Sequence, residues 1–108
     1  MNSRNKGKRY ELELAANLRQ YGYDARRGQQ YSGANGDPDV TGLPGIHIEA
    51  KRRQKIGNLY EWMAQAVHDA RDGEIPTIFC RGDDAKTLVV MRFDDWMRLY
   101  NNSDLPDK

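Results

Sequence analysis

A chain of 108 residues holds one domain of ordinary size and leaves no room for a separate cofactor domain. Hydrophobic residues make up 38% and charged residues 31%, a polar but foldable composition, and no apolar run approaches the ~18 residues of a membrane span. The formal net charge of +1 hides an asymmetry, since residues 1–55 carry 11 Lys and Arg against 6 Asp and Glu, whereas residues 56–108 carry 6 against 10. A basic first half points to a polyanionic partner at one face. Cys80 is the single cysteine, which excludes an intrachain disulfide framework and a cysteine-based zinc site. The N-terminal stretch MNSRNKGKRYE has no apolar segment after its basic residues, so a cytoplasmic protein is expected.

The elements follow in chain order. Residues 8–21 read as a helix in which Glu11, Leu14, Ala15 and Leu18 recur at i, i+3, i+4 and i+7. This spacing places Glu11 on the inward side and Glu13 toward water, and Gly22 suits the C-terminal cap. Residues 23–27 are expected as a first strand, followed by the glycine-rich loop GQQYSGANGDP. Asp39-Val40-Thr41 begins a short second strand, and Gly42 to Gly45 turns the chain back. From Ile46 to Lys51 the residues alternate, with Ile46, Ile48 and Ala50 on one face and His47, Glu49 and Lys51 on the other.

Residues 58–72 then give a second helix with an apolar stripe of Leu59, Trp62, Met63, Ala66 and Ala70. Thr77 to Cys80 reads as a strand, Leu88 to Met91 as its hairpin partner, and Phe93, Trp96, Met97 and Tyr100 as the stripe of a last helix. The expected order α-β-β-β-α-β-β-α describes an α/β domain, a central mixed sheet flanked by helices. Residues 1–108 are expected as a single domain, with a flexible basic arm at 1–6 and a flexible tail at 101–108.

Three carboxylates stand where an uncharged side chain costs less. Glu11 interrupts the inner face of the first helix, Asp39 opens a strand behind the loop, and Glu49 lies mid-strand. For Glu49 alone a solvated sheet face accounts for the residue, and for Glu11 alone the dipole of the first helical turn does so. The combination says more. Glu49 and Lys51 share one face, and a short hairpin brings Asp39 beside Glu49. Two carboxylates that close repel and raise a pKa, and a divalent cation removes that cost. Mg²⁺ takes oxygen ligands of this kind, and Lys51 next to it can orient or deprotonate a water or neutralise a phosphate oxygen.

Pro38-Asp39 followed by Glu49-Ala50-Lys51 resembles the PD-(D/E)XK nuclease signature. The context extends the resemblance over about residues 7–100, through Gly7-x-x-x-Glu11 on the leading helix, Tyr31-Ser32-Gly33 in the loop and Gln65 on the second helix. This arrangement is similar to the archaeal-type Holliday junction resolvases and their phage relatives, and also to virus-type replication-repair nucleases. The resemblance implies a restriction-endonuclease-like core. It implies Glu11, Asp39, Glu49 and the carbonyl of Ala50 as ligands of Mg²⁺ or Mn²⁺, and Lys51 as the catalytic lysine. Ser32 and Gln65 are expected to support the site from behind its ligands. Asp37 also flanks Pro38, and the motif selects Asp39 over it.

The basic residues flank these positions. Lys6, Lys8 and Arg9 precede Glu11, Arg26 and Arg27 precede the loop, and Arg52, Arg53 and Lys55 follow Lys51. Phosphate contacts of this type bind DNA largely without reading its sequence. Neither His47 nor His68 has zinc-site spacing, and the chain shows no phosphate-cradling Gly-Lys-Ser/Thr loop, so no nucleotide cofactor is expected. The expected function is a metal-dependent, structure-selective DNA endonuclease, foremost a homodimeric resolvase of four-way junctions. The alternatives are a flap or repair nuclease and a non-catalytic DNA-binding module of the same fold. Phe93, Trp96 and Tyr100, together with strand 77–80 if it lies at a sheet edge, are the candidate dimer surface.

Overall fold

The computed structural model describes residues 3–28 and 36–108. Its elements are α1 (Ser3–Gln20), β1 (Arg26–Arg27), β2 (Val40–Thr41), β3 (Ile46–Arg52), α2 (Leu59–Asp69), β4 (Ile75–Arg81), β5 (Leu88–Val90) and α3 (Phe93–Asn101), with a short 3-10 turn at Leu105–Asp107. The five strands lie side by side in chain order. β1 with β2, β2 with β3, and β4 with β5 are antiparallel, whereas β3 and β4 are parallel and joined through α2. This is the α/β architecture and element order expected from the sequence.

Helix α1 ends as its sequence predicts. Gly22 has φ +98°, and the Gly22 and Tyr23 N–H groups donate to the Arg19 and Leu18 carbonyls at 2.9 and 3.3 Å. That pair of bonds is a Schellman cap, and glycine takes the left-handed position without strain. The helix begins earlier than expected, at Ser3, so residues 3–6 of the expected basic arm form its first turn. Lys6 there pairs with Asp83 at 3.2 Å. Helix α2 stops earlier than residue 72, because Ala70 is extended (ψ 140°) and Gly73 (φ +88°) turns the chain toward β4. At the C-terminus α3 reaches Asn101 and the 3-10 turn holds 105–107, where a tail from residue 101 was expected.

Each face of the sheet has its own core. Against α1, Leu14, Ala15, Ala25, Val40, Ile48 and Phe79 are buried together. Against α2, the cluster is Trp62, Ala66, Ile78 and Cys80. Strand parity carries the consequence. Ile48 and Ala50 face α1, so His47, Glu49 and Lys51 face α2; His47 and Glu49 are buried and Lys51 half-buried, where one wet face is the ordinary expectation for a strand of this pattern. Among the described residues the buried polar set is Asp39, His47, Glu49 and Thr77. Strand β4 is interior and β5 is the edge, so Thr77 to Cys80 is not an edge strand and does not belong to the expected dimer surface. No described helix is long and apolar enough to cross a membrane.

Candidate active site

The acidic site is built at the junction of β2 and β3. The antiparallel register sets Val40 opposite Ile48, which places Asp39 opposite Glu49. The Asp39 N–H donates to the Ile48 carbonyl at 2.9 Å, and the Ala50 N–H donates to Asp39 Oδ2 at 2.8 Å. Gly28 fixes the other side, donating its N–H to the Asp39 carbonyl at 2.7 Å. A Cβ at Gly28 would overlap the Pro38 carbonyl, so only glycine lets β1 approach the Pro38-Asp39 segment this closely. Asp39 is therefore held by its own backbone, by its carboxylate and by the neighbouring strand.

Burial raises the Asp39 carboxyl, and the Glu49 charge raises it further, to about 7. The Ala50 N–H and the Lys51 charge oppose this, and Glu11 adds to it. The other three residues of the expected catalytic set, Glu11, Glu49 and Lys51, thus act electrostatically on the Asp39 carboxylate. Glu11 is mostly buried on α1, and its Oε1 accepts from Arg27 Nε at 2.7 Å. Lys51 lies over the Trp62 ring, with Nζ 6.0 Å from the centroid, and the Arg53 guanidinium stacks on the same ring at 5.4 Å. Asp37 instead faces Arg71 at 3.7 Å, away from Glu49's partner position.

A pair of half-compensated acids suits a dication. Two carboxylates side by side, one of them with its pKa near neutrality, are costly to ionise together without a positive charge between them. The oxygen donors of Asp39 and Glu49 fit Mg²⁺ or Mn²⁺ on that ground. Of the other expected ligands, Ala50 presents its N–H to Asp39, and Glu11 is engaged by Arg27. Gln65 is exposed on α2, and Ser32 lies outside the described residues, as do Tyr31 and Gly33.

A further group is gathered here that spacing along the chain does not reveal. Glu49 Oε1 accepts from His47 Nε2 at 2.9 Å, and the His47 ring is fully buried. Donor atoms of His47, Glu49 and Asp69 lie within 4.8 Å of one another. Asp69 comes from the end of α2, distant along the chain, and only the packing of α2 on the sheet brings it in. The lone signal in the sequence was the placement of His47 on the face of Glu49.

The basic residues are distributed unevenly. Arg52 and Lys6 both contact Asp83, at 2.8 and 3.2 Å, and Arg26 contacts Asp24 at 3.0 Å. Arg27 is the partner of Glu11. Lys8, Arg9, Arg53 and Lys55 are exposed.

The raised Asp39 pKa has a consequence for stability in the metal-free protein. Between about pH 4 and pH 7 the folded state holds a proton that the unfolded chain has lost, so stability falls as pH rises through that window. The slope approaches about 1.4 kcal/mol per pH unit at its steepest. Urea unfolding in EDTA from pH 5 to 8 is expected to show this decline in the wild type relative to Asp39→Asn. Saturating Mg²⁺ is expected to reverse it, because a ligand of the folded state adds stability by mass action. Parallel pH profiles for the two proteins would contradict the assignment.

Comparison with known proteins agrees with this geometry. A family model described as "Phage putative PDDEXK endonuclease" matches residues 2–106. Among solved structures, that of Archaeoglobus fulgidus Hjc, a Holliday junction resolvase from an archaeal hyperthermophile, is similar with a TM-score of 0.60 and 25% identity. The match covers 80% of this chain and 72% of that one. Among curated proteins none matches.

Proposed function

Because the chain belongs to the phage PDDEXK endonuclease family, we propose that it is a Mg²⁺- or Mn²⁺-dependent DNA endonuclease that cuts branched DNA, foremost four-way junctions. The observation that carries this reading is the Asp39–Glu49 pair, buried opposite one another with Lys51 two residues along the same strand face. Asp39 and Glu49 would hold the cation, with Glu11 and the Ala50 carbonyl as further donors. When bound, the cation supplies positive charge for the phosphodiester oxygens in the transition state.

The remaining work falls to the chain's own groups. The Ala50 N–H and the Gly28 contact keep Asp39 in one orientation. Lys51, steadied over Trp62, presents its ammonium to the scissile phosphate or orients the attacking water. Exposed Lys8, Arg9, Arg53 and Lys55 contact backbone phosphates, and Arg26, Arg27, Lys6 and Arg52 contribute once DNA competes with their acidic partners. Gln65 and Ser32 support the site.

Two symmetric cuts on opposed strands need two sites, and one chain of this size carries one. A homodimer supplies both. Its proposed surface is α3, which buries none of its residues in the monomer: Phe93 is 73% and Trp96 49% exposed, and Tyr100 stacks on Trp96 at 5.2 Å. Edge strand β5 adds exposed Leu88 and Val89. We place the protein in the cytoplasm of a prokaryotic or phage-infected cell, as a single nuclease domain.

The test compares four-way junction, flap, nicked, single-stranded and linear duplex DNA at equal concentration with Mg²⁺, Mn²⁺ or EDTA. Paired nicks across the junction, lost in EDTA, are expected, together with a dimer mass by light scattering. Preferential flap cutting would point to a repair nuclease. Equal cutting of junction and duplex would remove the resolvase reading, and DNA binding without cutting in either metal would point to a binding module.

A further inference from the structure

We propose that His47, Glu49 and Asp69 form a second cation site, next to the Asp39–Glu49 pair and sharing Glu49 with it, that takes a first-row transition-metal dication in preference to Mg²⁺. Three observations converge on it. Donor atoms of the three residues lie within 4.8 Å of one another. Donors around one cation at ~2.1 Å stand ~3–4.3 Å apart, so the group needs only small closing movements to bind. The contact between His47 Nε2 and Glu49 Oε1, at 2.9 Å, already has the separation of adjacent ligands.

The second observation concerns the other ring nitrogen of His47. The His47 ring is 0% exposed, yet its Nδ1 has no hydrogen-bond partner among the described residues. A buried ring nitrogen left unpaired costs free energy, and such exceptions in a packed interior call for an explanation. A cation on Nε2 supplies one, because the neutral ring then carries its proton on Nδ1, the nitrogen that faces a carboxylate. Glu74 Oε1 stands 3.9 Å from Nδ1, and Asp69, with its side chain only 15% exposed, lies on the same side of the sheet. An imidazole enclosed by Glu49, Asp69 and Glu74 is an environment that a dication neutralises.

The third is donor chemistry. Mg²⁺ seeks oxygen ligands and keeps its waters, whereas an imidazole nitrogen favours Mn²⁺, Fe²⁺ or Zn²⁺. The Asp39–Glu49 pair is an all-oxygen site. His47 makes the neighbouring position chemically distinct. A shared Glu49 would then bridge the two positions through its two oxygens.

The competing group is His68, 89% exposed, whose Nδ1 is 3.0 Å from Asp69 Oδ1. It sits on the outer side of Asp69 and offers an alternative nitrogen to any ion there, so it must be controlled. Nothing in the inference depends on whether the protein cuts DNA, and its test reads metal coordination rather than cleavage.

Untagged protein is loaded with substoichiometric Mn²⁺ and examined by electron spin-echo modulation, which detects a directly coordinated ¹⁴N. The wild type is expected to show modulation from one imidazole nitrogen, unchanged by excess Mg²⁺ and unchanged in His68→Gln. In His47→Gln the modulation is lost. Should that variant fail to fold, Asp69→Asn at the margin of the site serves instead. It is expected to raise the Mn²⁺ concentration for half-maximal modulation about tenfold, the scale on which such ligand-sphere changes act. Mn²⁺ bound without nitrogen modulation in the wild type would overturn the proposal. So would modulation that disappears in His68→Gln, or that is unaffected by Asp69→Asn.

Discussion

Asp39→Asn and Glu49→Gln are each expected to reduce cleavage by about a thousandfold or more, equivalent to ~4 kcal/mol of transition-state stabilisation. Both replacements keep the shape of the side chain and remove its charge. In Asp39→Asn the new side-chain amide can still accept the Ala50 N–H through its carbonyl oxygen, so the β2–β3 junction is expected to survive. What is lost is half of the charge that balances a dication, and with it the charge the cation delivers to the phosphate. DNA affinity measured in Ca²⁺ or EDTA is expected to stay within a few fold, because the exposed basic residues are untouched. Equivalent single-turnover rates for wild type and both variants would remove Asp39 and Glu49 from the chemistry. A proportionate fall in DNA binding would instead place them in recognition.

Lys51→Met is expected to lower the cleavage rate about 10²- to 10⁴-fold, the range for removing a positioned proton-transfer or charge-stabilising group. Methionine retains a long apolar stem that covers the Trp62 face, so the packing of α2 on β3 is expected to persist. Lys51→Arg keeps the charge but not the compact ammonium, and separates two roles. If the lysine supplies only charge to a phosphate oxygen, arginine restores most of the rate. If it moves a proton, arginine does not, since a guanidinium stays protonated. A rate unchanged in Lys51→Met, with melting temperature and DNA binding preserved, would leave Lys51 as a cover for Trp62 and no more.

The parts of this molecule legible from sequence are those set by local periodicity. The alternation from Ile46 to Lys51 marked β3, and the spacing of Leu14, Ala15 and Leu18 marked α1 with Glu11 on its inner side. Gly22 marked the helix end because a left-handed residue is needed there. The proximity of Asp39 and Glu49 was also readable, because a short antiparallel connection leaves little choice of register. Helix ends were less so. The end of α2 at Ala70 goes with the return of the chain to β4, and the first turn of α1 carries Lys6 to Asp83, both non-local.

Strand order and the covering of the sheet were decided by tertiary structure. The pattern of β4 as an apolar run is shared by edge and interior strands, and only its parallel pairing with β3 made it interior. That same pairing laid α2 over the Glu49 face, which buried His47 and Glu49 and raised Asp39 through lost solvation. The sequence by itself determined which residues carry acid, base and charge, and on which side of their own element each one lies. Their electrostatic state was decided only when distant segments met: Arg27 on Glu11, Asp69 against His47, Asp83 on Arg52 and Lys6. The physical reason is that side-chain direction follows from local backbone geometry, whereas burial and charge pairing depend on neighbours from elsewhere in the chain.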